Sequence, residues 1–483
     1  MLKKILILTF LFILLITSGF GCKVVDKKTR EAMQPITIKY WRVWDGPDAF
    51  EEIINKYNAL HPFITIEYKK LRYNEYELAL LEAMAEDKSP DIFSIHNTWI
   101  QKYKTKIVPM PDAITMAYPI MRGSIKKEII PELRTKRSLT IQELKNNFVD
   151  AIYNDVLTMT EKTVYLDPAG EQEFGETRRR KIIKKENILG LPLSVDTLVM
   201  YYNRDLLNNA GIITPFKYWN KEFQQGVKAL TKLDAKGNII QSGVSLGGGK
   251  NIERAGDILS VLMMQNGAIM INDNGIVMFD KIPFNAKNQT YNPGLEAFRF
   301  YVDFANPAKE VYAWNKDLPG SVDMFVTGKL AMMFGYAYHL PIIKTRAPKL
   351  NFSIVKLPQI EGNIREVNFA NYWVEVVSKK SKHVNEAWDF IQFMTKAENV
   401  RSYLNVTKKP TALRTLIKEQ KDDIELSAFV DQLLTAKSWY KGAGANAAEK
   451  VFNEMVENAL NNQEELENIL KIGASQIQQT IKK

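Results

Sequence analysis

Between Ile36 and Ile95 three short β-rich runs alternate with two segments of helical character, and that order leaves a chain few ways to fold. Ile36-Thr37-Ile38-Lys39-Tyr40, Ile64-Thr65-Ile66-Glu67-Tyr68 and Asp91-Ile92-Phe93-Ser94-Ile95 read as strands. Pro47 and Asp48 open the first helix, with Glu51 three residues after Asp48 in the spacing of a capping box. Phe50, Ile53, Ile54, Tyr57 and Leu60 then share one helical face, and His61-Pro62 ends it. Tyr76 to Glu86 reads as the second helix. Strand, helix, strand, helix, strand predicts an α/β fold with a parallel sheet and right-handed crossovers.

In open α/β sheets, ligands bind beyond the carboxyl ends of the strands. Two loops fall there: Trp41 to Gly46, with Trp44 and Asp45, and His96 to Trp99, with Asn97 and Trp99. Each joins indoles to short polar side chains. Tryptophan is often buried simply for packing, but two such loops at corresponding strand ends favour a ligand.

Cys22 is the only cysteine in 483 residues. No internal disulfide can form, so the core alone must hold the chain, and the chain is too long for one core. Before Cys22 stand a basic start with Lys3 and Lys4, an apolar run from Ile5 to Ile16 broken only by Thr9, and Ser18-Gly19-Phe20-Gly21. This is the order of a secretory signal. It resembles the lipobox of bacterial lipoproteins, in which the cysteine is acylated, although Gly19 replaces the usual branched apolar residue. A plain cleaved signal or an uncleaved anchor are the alternatives; the run is short of the ~20 residues of a spanning helix. Residues 23–35 read as a tether. The 65 basic and 55 acidic residues give a net charge of +10. Lys23, Lys27, Lys28 and Arg30 beside an anchor favour anionic headgroups. Arg178-Arg179-Arg180-Lys181 with Lys184 and Lys185 reads as a solvated loop or hairpin, and no nucleic-acid partner is expected.

From 103 to 187 the pattern is lost. Pro109, Pro111, Pro119 and Pro131 interrupt it, and Leu139 to Met159 reads as one helix. From Ile188 the chain is readable again. Leu198 to Tyr202 is a predicted strand, Asp205 to Ala210 a short helix ended by Gly211, Trp219 to Leu233 an amphipathic helix, Asp234 to Gly237 a turn and Arg254 to Met264 an apolar helix.

Ile188-Leu189-Gly190-Leu191-Pro192, Tyr202-Asn203-Arg204-Asp205-Leu206-Leu207, Ala210-Gly211-Ile212, Pro215, Trp219 and Leu230-Thr231 follow one another at a recognisable spacing. Phe325-Val326-Thr327-Gly328-Lys329-Leu330-Ala331-Met332 and the run Val376 to Lys382 followed by Ala387-Trp388-Asp389-Phe390-Ile391 agree in order. Together these resemble the extracellular solute-binding proteins of carbohydrate ABC importers, over about 36–105 and 188–483. Residues 106–187 stand outside the resemblance, as an insertion.

The resemblance implies a two-lobed periplasmic-binding-protein-like fold, a multi-crossing hinge and a ligand cleft between the lobes. One lobe would take 36–145 and 360–408, the other 146–359 and 409–483. It implies no enzyme but a receptor, monomeric and extracytoplasmic, lipid-anchored to the outer face of the cell membrane or periplasmic. Such a receptor captures a carbohydrate, an oligosaccharide, and passes it to ABC permease subunits. Sugars have an apolar C–H face and a polar rim, which suits aromatic rings beside a few polar groups. Beyond Trp44, Asp45, Asn97 and Trp99, the resemblance points to Tyr336 and Tyr338, to Tyr372 and Trp373, and to Trp439 and Tyr440 as ligand contacts. Trp314 and Trp388 read as packing residues.

A surface glycoside hydrolase or an adhesion or sensing scaffold are the competing readings. The four histidines His61, His96, His339 and His383 have no metal-ligand spacing, no G-x-S-x-G elbow occurs, and Gly247-Gly248-Gly249-Lys250 lacks the first glycine and the Ser or Thr of a phosphate loop. No metal or cofactor is expected.

Overall fold

The computed structural model describes residues 27–122, 128–166, 179–284, 286, 288–461 and 464–481. The export signal with Cys22, and Arg178 of the basic run, lie outside them.

One sheet has the strand order 64–71, 36–43, 92–96, 373–378, 107–108. The three runs that open the chain pair in parallel, Ile36 opposite Ile64 and Tyr40 opposite Ile92. Their carboxyl ends therefore share one edge. Trp373–Ser378 joins from far along the chain, antiparallel, with Trp373 opposite His96. Ile38, Tyr40, Ile92, Phe93 and Ile95 are fully buried, because helices cover the sheet.

The first helix spans Glu51–Leu60 behind a 3-10 turn, Pro47–Ala49. The expected capping box does not form: Gly46 holds the cap position, no side chain caps the turn, and Pro47 supplies the preset first turn. Phe50, Ile53 and Tyr57 are buried as the period requires, while Leu60 at the fraying end faces outward. The second helix begins earlier than expected, at Tyr73, and runs to Ala85.

The other sheet has the order 232–233, 239–244, 330–335, 199–203, 352–356. Helices Ala255–Gln265, Pro293–Asp303, Ala445–Leu460 and Leu466–Ile481 pack against one another, and Lys221–Leu230 and Ser321–Val326 pack on the sheet. Three segments run between the two sheets and pair with one another. Ala370 lies opposite Thr197, and Asn368 opposite Ala436. Leu191 also bridges to Glu375 and Ser194 to Thr411. The result is a two-lobed α/β architecture with several chain crossings. Trp314 and Trp388 are fully buried, as packing residues should be.

Residues 106–187 differ most from expectation. Two hairpins occupy much of the segment, Ala113–Arg122 with Glu128–Arg137 and Leu157–Leu166 with Arg179–Ile188. Pro119 lies opposite Pro131, so two apparent breakers sit face to face in a two-stranded ribbon where neither needs a further partner. Leu139–Met159 is not one helix. Thr140 and Glu143 form a capping box that opens Ile141–Asn147. The buried pair Phe148 and Val149 then turns extended, bridging Leu413 and bonding Ala412, before a second helix, Asp150–Val156. The tether reading is also corrected in part: Lys27–Glu31 is a short helix with Thr29 buried.

Candidate ligand-binding cleft

A cleft of about 1030 Å³ opens where the crossing segments meet the carboxyl edge of the first sheet. The loops after all three parallel strands reach it, with Trp44 and Asp45, Tyr73, and His96 to Trp99. The second lobe contributes Glu253, Arg254, Asp257, Tyr338, Glu449 and Phe452. The crossings supply Ser194, Asp196, Asn371, Tyr372, Trp373, Lys408 and Lys409, and the stretch after them Ser438, Trp439 and Tyr440. Among the four described non-glycine residues at positive φ, three line this cleft: Trp44, Arg254 and Lys408. Backbone held in this way gathers at functional sites.

Nine of the ten residues singled out from sequence line the cleft, and Tyr336 does not. Tyr336 lies within a buried stretch, stacks against Tyr338 with ring centroids 5.9 Å apart, and donates its hydroxyl to Asp257 at 2.6 Å. It supports the wall from behind. The nine are not equally available. Trp44 is 52% exposed and Tyr338 38%, whereas Asp45, Asn97, Trp99, Tyr372, Trp439 and Tyr440 are buried. Trp44 stacks on Tyr73 at 5.1 Å, a platform two rings deep. Trp373 meets Tyr73, Tyr76, His96 and Trp99 edge-on at 5.5–6.3 Å. The hydroxyl of Tyr440 is taken by Thr480 at 2.8 Å, and that of Tyr372 by Asp155 at 2.6 Å.

Beneath the first wall lies a buried charge network. Arg42 donates to Glu375, to the Tyr40 and Tyr403 hydroxyls at 3.0 and 2.9 Å, and to Asp45 at 3.1 Å. Ser94 donates to the other Glu375 oxygen at 2.6 Å, and Lys409 to Asp45 at 2.6 Å. Burial favours the neutral acid at Asp45, but Arg42 and Lys409 outweigh it and hold the carboxyl below its usual range. Asp45 thus faces the cleft with both oxygens already engaged. Burial pushes His96 down to about 4, so its ring is neutral. Burial pushes Asp196 up to about 7, against the amides of Ala337 at 2.8 Å and Thr197 at 2.9 Å.

The second wall is more exposed. Arg254 holds Asp257 at 2.8 Å and Glu449 at 3.3 Å, and Tyr338 donates to Glu253 at 3.0 Å. Burial raises Glu449, with Arg254 opposing. Sequence reasoning missed Tyr73, although it follows a parallel strand by the same rule that found Trp44 and Asn97. It also missed Asp196, Arg254 and Asp155, which no local motif marks. Among the described residues, no group of histidine, cysteine and carboxylate side chains is arranged to hold a metal ion, and no helix is long and apolar enough to cross a membrane.

The sequence profile of the bacterial extracellular solute-binding proteins matches residues 52–428. The maltodextrin-binding protein MdxE of Bacillus subtilis is 25% identical over 283 residues, 56% of this chain and 61% of the relative. A putative binding protein of Brucella abortus is 25% identical over 240 residues, 48% of this chain and 52% of the relative. The chain spans about half to three-fifths of the length of these curated relatives. Among solved structures, the cyclic α-maltosyl-1,6-maltose binding protein of Arthrobacter globiformis superimposes with a TM-score of 0.67 at 16% identity, covering 93% of this chain and 99% of that one. The sugar-binding protein MalE of Xanthomonas citri gives a TM-score of 0.64 at 16% identity, covering 92% and 97%. Fold, crossing pattern and profile agree: the chain belongs to the bacterial extracellular solute-binding protein family.

Proposed function

We propose that this protein captures a carbohydrate, an oligosaccharide, between its lobes and delivers it to the permease of an ABC importer. The observation that carries this reading is the Trp44–Tyr73 platform, half exposed on one wall of a cleft whose other wall presents Tyr338. An exposed indole over a second ring offers a flat apolar face to a pyranose, and stacking of this kind adds to area burial. The volume of the cleft, about 1030 Å³, and its aromatic residues on both walls suit several sugar units. Solved relatives in the same fold carry maltodextrin-type ligands, among them cyclo/maltodextrin-binding protein with maltotetraose.

Closure of the lobes needs contacts that only the closed state makes, and sugar bridging both walls would supply them. The assignment of 36–145 with 360–408 to one lobe, and of 146–359 with 409–483 to the other, is part of this reading. So is the role of the ten sequence-selected residues, with Tyr336 moved to the supporting layer. The six cleft carboxylates are all engaged: Asp45 by cations and a tyrosine, Asp257 and Glu449 by Arg254, Asp196 by backbone amides, Glu253 by Tyr338 and Glu425 by Lys344. A hydrolase needs two carboxyl groups free to act across the sugar, so the cleft is read as one that binds without turnover. Acylation at Cys22 would tether the receptor on the outer face of the membrane, as a monomer beside its permease, where effective concentration is high.

Thermal unfolding with maltotriose, mannotriose and cellotriose, followed by titration calorimetry and product analysis, tests this. At least one sugar raises the melting temperature and is recovered uncleaved. No shift with any sugar defeats the carbohydrate reading, and cleavage defeats the receptor reading. Labelling with radioactive palmitate in cells, lost in Cys22→Ser, tests the anchor.

A further inference from the structure

Asp155 stands behind the cleft, on the helix Asp150–Val156, and is not one of the residues that line it. It is buried, and donors from four places converge on it: Asn97 Nδ2 at 3.1 Å, the Tyr372 hydroxyl at 2.6 Å, the Ser438 hydroxyl at 2.5 Å and the Lys441 ammonium. Three of these residues, Asn97, Tyr372 and Ser438, are themselves cleft residues. A carboxylate only accepts hydrogen bonds. It therefore dictates which end of the Asn97 amide faces it, the NH2. The Asn97 Oδ1 is then left buried and without a hydrogen-bond partner among the described residues. A buried acceptor without a partner is unusual enough to require a reason; Asn97 lines the cleft, and a ligand hydroxyl admitted by a small shift of the cleft wall would supply one.

Asn371 is fixed in the opposite sense. The His96 Nδ1 lies 2.7 Å from the Thr98 hydroxyl and 3.4 Å from the Thr98 amide N–H, which can only donate; with the hydroxyl donating as well, the neutral ring carries its proton on Nε2. That N–H donates to Asn371 Oδ1 at 3.0 Å, leaving the Asn371 NH2 as the free end in the cleft. Two neighbouring amides are thus polarised by buried partners, one as acceptor and one as donor.

We propose that Asp155 is a positioning residue that locks Asn97 as a hydrogen-bond acceptor, so that Asn97 and the His96-locked Asn371 read a pair of ligand hydroxyls as donor and acceptor. This rests on the carbohydrate reading, and the test separates the two. The first arm needs no sugar. The side-chain amide protons of Asn97, followed by ¹⁵N NMR, exchange slowly in the unliganded protein and fast in Asp155→Asn. The second arm uses whichever of maltotriose, mannotriose or cellotriose the native protein binds. Asp155→Asn frees the amide to turn, and Asn97→Asp sets two carboxylates together; each weakens binding about tenfold. The exchanged pair Asp155→Asn with Asn97→Asp restores an acceptor toward the ligand and a donor behind it, and affinity returns to within about threefold of the native value. A lowered melting temperature with unchanged affinity in Asp155→Asn makes the residue merely structural and overturns the proposal. So do losses that add in the exchanged pair, or Asn97 amide exchange that Asp155→Asn leaves unaltered. Failure of every sugar to bind sinks the carbohydrate reading but leaves the NMR arm to decide the lock.

Discussion

The two walls of the cleft are built on different physical terms. The first wall rests on charges that water does not reach: Arg42 and Glu375 are 3% and 0% exposed, and each finds its partners inside the protein. The second wall carries its charges nearer solvent: Arg254, 23% exposed at its side chain, spans a 12%-exposed Asp257 and, at the rim, a 44%-exposed Glu449. A buried pair is held by the cost of exposing either partner alone, so it fixes geometry. A rim pair is screened and worth little, so it can rearrange. One wall is thus a rigid platform for Trp44 and the other an adaptable face, which is what a cleft that closes on its ligand requires.

The sharpest way to break that contrast is Arg42→Met. It strands Glu375 in the core and removes one cation from Asp45, so unfolding in urea should show a loss of about 3–5 kcal/mol. A loss under 1 kcal/mol would mean the network is not the rigid base described.

Asp196 comes next, and its effect depends on pH. Burial raises its pKa to about 7 from the usual 3.8. A group with a raised native pKa binds more protons folded than unfolded, so its contribution is fully present below pH ~4 and is lost as pH rises through about 7. Asp196→Asn should abolish that decline; because the amide accepts only one of the two backbone N–H bonds and sets its NH2 against the other, the variant should be less stable at low pH and lose less as pH rises. His96 works in nearly the same window with the opposite sign. Its native pKa, near 4, lies below the usual 6.5, so stability is lost as pH falls from ~6.5 toward 4. Melting temperature against pH for both proteins checks the two slopes; an unchanged slope between pH 4 and 7 in Asp196→Asn would reject the assignment.

On the exposed part of the first wall the effect moves from folding to binding. Trp44→Ala should weaken sugar binding about tenfold, or about 1.4 kcal/mol, with little change in melting temperature, because the indole is half exposed. Calorimetry that finds native affinity would remove Trp44 from the site.

How much of this was legible follows from which interactions are local. Ile36 to Ile95 reads directly because strand alternation and helix period are local, and the edge rule then finds Trp44, Asn97 and Trp99. Tyr73 was within reach of the same rule. Residues 113–137 were not, because Pro119 and Pro131 look like breakers until a pairing across the hairpin sets them opposite each other. Leu139–Met159 misled because Phe148 pairs with Leu413, a contact between residues far apart in the chain. Tyr336 failed for a related reason: its hydroxyl is claimed by Asp257, and no spacing in the sequence announces that partner. Asp155 and Glu375 are ordinary carboxylates in sequence, and only the fold gathers their donors.

The smallest expected effect lies on the second wall. Glu449 is bound to Arg254 at 3.3 Å with its side chain 44% exposed. Arg254 keeps Asp257 as its nearer partner at 2.8 Å, so removing Glu449 does not strand a charge. Glu449→Gln should therefore change stability by no more than about 1 kcal/mol, and less in high salt. Affinity should shift by a similar amount, since the amide still offers the cleft a polar group. If Glu449→Gln instead destabilised the protein as strongly as Arg42→Met, the second wall would be as rigid as the first, and closure would have to come from the crossings alone.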